Sequence, residues 1–186
     1  MNNYKKDIIS TAINLFAEHG YHNTSMNMIA EEADVSKGGL YWHFSSKKDL
    51  YREIVEIPFN DYINYIKDVE QKEISPEKKL KNIIEYRVNY IKENIKVSKI
   101  IMNNIENLDV LKEKICKYKK QNEAILENIF REGIKKGQFK MKDPCISTLV
   151  FTSIINTVAS NPDILQEKTE EELIEAISEQ VFEGIL

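Results

Sequence analysis

Glycine and proline are scarce in this chain, with 6 and 4 of them among 186 residues. All-β folds spend both residues on many turns, so the shortage excludes sandwiches, barrels and propellers. Cysteine is scarcer still. Cys116 and Cys145 form no CxxC pair and no framework, which excludes a disulfide-stapled secreted module. They read as small hydrophobes or surface thiols, with a redox role left open. No apolar run approaches the ~18 residues that span a bilayer, so no membrane partner is expected. The N-terminal stretch carries Asp7 and reads as an amphipathic helix rather than a signal peptide. A cytoplasmic location is the expectation. Metal-ligating and catalytic constellations are missing too. His19 and His22 are separated by Gly20 and lack a third ligand nearby. No GxGxxG, lysine phosphate loop, GxSxG elbow or HExxH is found, so no metal, no cofactor and no enzyme is expected. A helical-bundle enzyme is set aside for want of paired carboxylates, ExxH ligands or a nucleophile.

What is present is a globular composition: 42% apolar and 30% charged residues, enough for a core without staples. The net charge of −4 does not advertise a nucleic-acid binder. The average conceals a local reversal. Between Ser36 and Arg52 stand Lys37, Lys47, Lys48 and Arg52 against the single acid Asp49, a balance of +3 that leaves −7 on the rest. A small basic face on an acidic body is compatible with DNA, whose phosphate field reaches about a Debye length.

The pattern is helical from end to end, and no strand is predicted. Ile8, Ile9, Ala12, Leu15 and Phe16 form one apolar stripe, ended by Gly20. Thr24 or Ser25 caps a short helix bearing Met26, Ile29, Ala30 and Ala33. Asp34-Val35 makes a tight turn, and Ser36 caps a third helix with Leu40 and Phe44 inside. Ser46 and Asp49 form a capping box for a fourth helix, which Pro58 should kink or break near Ile57. Ser75-Pro76 opens a fifth helix, and a shorter one follows around 95–103. A long one spans about 108–136 to Gly137, and Asp143-Pro144 opens another whose stripe reads Ile146, Leu149, Val150, Ile154 and Val158. Asn161-Pro162 breaks it, and Thr169 with Glu172 caps the last. The expected fold is all-α with about nine helices.

Two short helices joined by a three-residue turn, behind a longer one, form a helix-turn-helix pattern. Its geometry wants a small residue where the helices cross, a left-handed turn and an apolar seat for the second helix. Ala30, Asp34 and Leu40 meet those demands. Residues 24–52 read TSMNMIAEEADVSKGGLYWHFSSKKDLYR, with the core AEEADVSKGGLYWHFSSK. This stretch closely resembles the DNA-binding domain of the tetracycline-repressor (TetR) family of bacterial transcription regulators. The resemblance covers about residues 8–55. It implies a helix-turn-helix DNA-binding domain at 1–50 and a helical ligand-binding and dimerisation domain at 51–186. It further implies a regulator, most often a repressor, that binds a palindromic duplex operator as a homodimer and is released by a small molecule. A DNA-binding regulator switched by a protein partner is the alternative.

On that resemblance the residues take roles. Lys37 can reach a guanine edge or a phosphate from the recognition helix, whose cap is Ser36. Gly38 and Gly39 allow the backbone close to the groove. Tyr41 and His43 offer donors to phosphates, and Trp42 an indole donor and an apolar face. Packing readings remain open: Trp42 against the first helix, His43 half-buried, Lys48 a solvated charge. Family members place a phosphate-contacting lysine where Lys47 stands. Thr24 or Ser25 can donate to a phosphate at the start of the second helix. Asn27 stands where many relatives carry arginine.

The C-terminal part carries Phe59, Tyr62, Tyr65, Tyr86, Tyr90 and Tyr118. They are either ordinary core or the lining of a pocket for a small hydrophobic or aromatic ligand, with Asn94, Asn103, Asn104 and Glu106 as polar hooks. The last two long helices hold more apolar residues than one stripe needs. Phe151, Ile154, Ile155, Val158, Leu173, Ile174, Ile177 and Val181 are therefore expected at the dimer interface, in an intermolecular four-helix bundle.

Overall fold

A computed structural model describes residues 3–103 and 111–185. Asn104 and Glu106 lie outside the described residues. Ten helices follow one another among the described residues: α1 (Asn3–His19), α2 (Met26–Glu32), α3 (Lys37–His43), α4 (Lys47–Gln71), α5 (Pro76–Glu93), α6 (Ile95–Asn103), α7 (Lys112–Lys135), α8 (Pro144–Ala159), α9 (Pro162–Glu167) and α10 (Glu170–Ile185). The tenth, unexpected one is α9. Asn161 and Pro162 do end α8, but they also start a helix: the Asn161 side chain accepts from the Ile164 amide and Pro162 takes the first helical position. Of the kink or break expected in α4, the break does not occur. Pro58 lies inside a continuous helix, held by the buried side chains of Ile54 and Val55 before it and Ile63 and Ile66 after it. Packing against a core outweighs the bond that proline cannot donate.

Packing divides the chain into two units, drawn differently from the boundary expected after residue 50. The first comprises Met1–Phe59 with Ile95–Lys112, the second Asn60–Asn94 with Glu113–Leu186. In the first, α1 packs on α6 and α2, and α2 on α3. Its interior is built from Ile8, Ala12, Phe16, Ile29, Leu40, Phe44, Leu50 and Ile54, all nearly inaccessible to water. Phe16, Tyr21 and Tyr51 meet ring to ring, with centroids 5.0–6.3 Å apart. The α2–α3 turn passes through Asp34 at φ 51°, the one described non-glycine residue with positive φ. An aspartate tolerates that region better than a β-branched residue would.

In the second unit, α5 and α10 pack together and both touch α8. One cluster joins Ile63, Ile66, Leu80, Ile83, Ile84, Leu126, Ile129, Phe130, Phe151, Leu173 and Ile177. Gly133 is glycine for want of room: a β-carbon there would stand 2.2 Å from the Phe139 ring. The buried Lys79 donates to the Glu70 carbonyl at 2.8 Å and to Glu132 at 2.9 Å, so its charge is paired as burial requires. Glu132 also accepts from Lys136 at 2.5 Å. These two ammonium groups, that of Lys136 foremost, hold its carboxyl below the usual range.

Candidate nucleic-acid interface

Each short helix of the first unit is started by a hydroxyl. The Ser25 side chain accepts from the Met28 amide at 3.2 Å, and that of Ser36 from the Gly39 amide at 3.0 Å. At the start of α4, Ser46 accepts from the Asp49 amide at 3.2 Å, the forward half of the box read from the sequence, while the Asp49 carboxylate accepts from the amide of Ser45 at 3.1 Å rather than from that of Ser46. These caps matter because helices of seven residues are too short to form by propensity alone. Leu40 is the one buried side chain of α3 and seats it on the core. The rest of α3 looks outward or is half-exposed.

Lys37, Gly38, Gly39 and Tyr41 are exposed, and so are Ser25, Asn27, Ser36 and Lys48 around them. Trp42 is 80% exposed, so it does not pack against α1. His43 is half-buried and meets the Trp42 ring edge-on at 4.6 Å. Nothing in the fold demands glycine at position 38: its φ is ordinary and a β-carbon would meet open space. At position 39 a β-carbon would come within 3.2 Å of the Ser36 hydroxyl that caps the helix. Arg52 is tied to Asp49 at 3.3 Å, which leaves Lys37, Lys47 and Lys48 of the four cations read on this face.

Two expected phosphate contacts are corrected. Thr24 is buried, and its hydroxyl is directed at the carbonyls of Gly20 at 2.9 Å and Leu15 at 3.2 Å, closing the end of α1. Lys47 turns inward as well. Its ammonium donates to the carbonyls of Tyr21 at 2.6 Å, Thr24 at 2.7 Å and His22 at 3.3 Å, and stands 4.4 Å from the Tyr21 ring centre. An ammonium has three protons, and all three are committed. Desolvation moves its pKa below the ordinary lysine value. Lys47 thereby fastens the first residue of α4 to the segment between α1 and α2. Neither role was visible in the sequence, since both depend on where carbonyls end up.

The tyrosines expected around a pocket do come together in the second unit. Tyr65 and Tyr86 stack at 4.0 Å and 13°, with Tyr62 and Tyr90 on either side at 6.2 Å and 5.9 Å from Tyr86. Arg87, not anticipated, lies 4.8 Å from the Tyr62 ring centre. Tyr65 donates to the Asn82 carbonyl at 3.2 Å and Tyr118 to Asn60 at 2.7 Å. Burial pushes Tyr62 and Tyr90 up to about 12, so both phenols are neutral donors at ordinary pH. Phe59 and Asn103 belong to the first unit. Asn94, another expected hook, donates to the Tyr90 carbonyl at 2.9 Å.

The expected dimer residues are mostly interior. Phe151, Ile155, Leu173, Ile177 and Val181 are buried in the chain's own core, and Ile154, Val158 and Ile174 are half-buried against it. The stripe on α8 is rotated from the one expected. Ile146, Leu149 and Val150 are 43–52% exposed, while Ser147 and Thr148 are buried. Those two hydroxyls donate to the Asp143 carbonyl at 2.7 Å and the Pro144 carbonyl at 2.8 Å, which satisfies them without a partner helix. Among the described residues no helix is long and apolar enough to cross a membrane.

Residues 8–54 match the family model for bacterial regulatory proteins of the tetR family. Residues 73–160 match the tetracyclin repressor-like C-terminal domain. The chain belongs to the TetR family. Its N-terminal helix-turn-helix and C-terminal helical part are those of the family. Over 62 residues the chain is 45% identical to the biofilm operon icaADBC HTH-type negative transcriptional regulator IcaR of Staphylococcus aureus (strain Newman), a match covering 33% of each chain. It thus spans about a third of the length of the curated relatives it matches. The solved TetR-family regulator PfmR from Thermus thermophilus superposes with a TM-score of 0.81 at 25% identity, over 95% of this chain and 97% of that one. The ketosteroid transcriptional regulator KstR2 of Mycobacterium tuberculosis gives 0.81 at 19% identity, over 100% and 96%, a likeness of fold.

Proposed function

We propose that this TetR-family protein is a transcriptional repressor that binds duplex DNA as a homodimer and lets go when a small molecule binds its second unit. The observation that carries the reading is the outward face of α3. A seven-residue helix with one buried side chain contributes little to the core. It presents Lys37, Gly38, Tyr41 and Trp42 to solvent instead, at the position from which a helix-turn-helix enters the major groove. Lys37 supplies a base-edge or phosphate contact, Tyr41 and His43 phosphate donors, and Trp42 an apolar face. Ser25, Asn27, Ser36 and Lys48 flank them.

The second copy sits on the apolar stripe of α8, where Ile146, Leu149 and Val150 stand unburied. The outer face of α10 carries Glu171, Glu172, Glu175 and Glu179 and would repel its own copy. On a palindromic operator the two α3 helices of such a dimer would meet half-sites about one DNA turn, ~34 Å, apart. The inducer is a small hydrophobic or aromatic molecule received beside Tyr62, Tyr65, Tyr86 and Tyr90. It acts by binding more tightly to a form whose helices do not fit the operator.

Selection of duplexes from a random-sequence pool by the purified protein tests the reading. A palindromic consensus with half-sites one turn apart is expected. Failure to enrich any duplex, together with no retention of genomic fragments, overturns it.

A further inference from the structure

The first unit exposes three large apolar side chains among its described residues: Tyr41 and Trp42 on α3, and Tyr4 at the beginning of α1, which is 62% exposed. Tyr4 and Trp42 are far apart in sequence yet line one cleft of about 450 Å³, with Ile8, Val35, Ser36 and His43 in its wall and Gly39 and Asp34 at its edge. The start of α1 is held in place there. Lys5 bridges to Glu53 at 2.7 Å, and its ammonium stands 5.5 Å from the Phe44 ring centre. Tyr4 is therefore presented by a fixed helix, and burial does not explain its aromatic ring.

Resting on the DNA-binding reading above, we propose that this cleft seats a deoxyribose of the strand flanking the bases met by α3, with Tyr4 as a further DNA-contacting residue. Three observations select the occupant. The cleft is continuous with the reading helix, since Gly39 and Trp42 belong to it. Tyr4, Trp42, Ile8 and Val35 give it apolar walls that suit the C–H edge of a sugar, and Ser36 and His43 add polar groups that suit its oxygens. Asp34 at its edge repels a phosphate, because like charges a few ångströms apart near a surface oppose one another strongly. A sugar carries no charge and meets no such barrier. Gly39 adds no side chain to the cleft.

The test uses the full chain and a duplex enriched by the wild-type protein from a random-sequence pool. Tyr4→Ala is expected to lower affinity about tenfold, and Tyr4→Phe to leave it within about twofold, since the ring rather than the hydroxyl makes the contact. The slope of affinity against salt should be the same for all three proteins, because a sugar contact releases no counterion. Trp42 is the single tryptophan of the chain. Its emission, excited selectively, should be shielded from iodide when the duplex is added. Tyr4 is exposed, so the unfolding midpoint of Tyr4→Ala should match the wild type, which separates lost contact from lost fold. Undiminished affinity of Tyr4→Ala, or iodide access to Trp42 unchanged by DNA, overturns the cleft while leaving the DNA-binding reading intact. A shallower salt slope in Tyr4→Ala assigns the contact to a phosphate and also overturns it. If the wild-type protein enriches no duplex at all, the underlying reading fails and the cleft proposal with it.

Discussion

Replacing Lys47 by methionine separates two roles that a lysine at the start of α4 can play. Methionine keeps most of the aliphatic length lying over Tyr21 and removes the charge and the three donors. Hydrogen bonds from a charged group contribute about 1.5–3 kcal/mol each when a partner is lost. The bonds to the Tyr21 and Thr24 carbonyls are short, 2.6 and 2.7 Å, and partly shielded, whereas that to His22 is 3.3 Å and exposed, so water replaces it readily. Two effective bonds, discounted for water reaching a half-buried site, give a loss of ~2–4 kcal/mol in the first unit. For a chain of this size that corresponds to a fall in melting temperature on the order of 5–15 °C. Chemical denaturation followed by Tyr and Trp signals reads the same loss. DNA affinity should fall as well, because the segment leading into α2 is no longer fastened, but the logarithmic salt slope should stay at the wild-type value. A phosphate contact makes the opposite pattern: stability unchanged and a slope shallower by about 0.9 for each protomer, ~1.8 for the dimer, the share of one released counterion per lysine. That outcome would refute the assignment of Lys47 as an internal fastener.

Three shorter expectations test other parts. Leu149→Asp should yield a folded monomer by sedimentation, while Ile155→Asp and Ile177→Asp should unfold the second unit, since both are nearly fully buried; a folded monomer from Ile177→Asp contradicts the core assignment. Gly38→Ala should stabilise the chain by ~0.5–1 kcal/mol, the usual helix preference for alanine, while weakening DNA binding; a gain in both shows that no close approach occurs there. Glu132 has a carboxyl held below its ordinary value by Lys136 and Lys79. Its contribution to stability is therefore complete above the unfolded value near 4.5 and disappears as pH falls through the lower, folded one. Glu132→Gln should flatten that part of the acid-unfolding curve, and an unaltered curve between about pH 5 and 3 argues against the pairing.

The caps, the turn at Asp34 and the apolar seat of α3 were legible because each is a local pattern whose meaning does not depend on distant atoms. Local signals failed where two uses compete. On α8 the hydrophobic residues outnumber one stripe, and the sequence cannot tell which set turns inward. Ser147 and Thr148 decide it by bonding to their own helix, which frees them to be buried. Asn161-Pro162 is at once an ending and a beginning, and only packing shows that a helix continues. Thr24 and Lys47 carry groups suited to phosphates, yet unsatisfied carbonyls at the end of α1 reach them first. The tyrosines on α4 and α5 were readable as a set because spacing on a helix fixes which side chains neighbour one another. Arg87 was missed, since a cation over a ring leaves no periodic trace.

The division of labour in α3 also bears on how such a protein can change its target. Leu40 is its one buried anchor, Gly39 lies tight against the capping Ser36 hydroxyl and His43 is half-buried, so the four exposed positions Lys37, Gly38, Tyr41 and Trp42 can be exchanged with little effect on folding. Most substitutions elsewhere in the first unit would first cost stability and only then be tried for a new preference. Along α3 a lineage can explore new operators while remaining folded, and a designer can do the same by randomising Lys37, Gly38, Tyr41 and Trp42 around a fixed leucine.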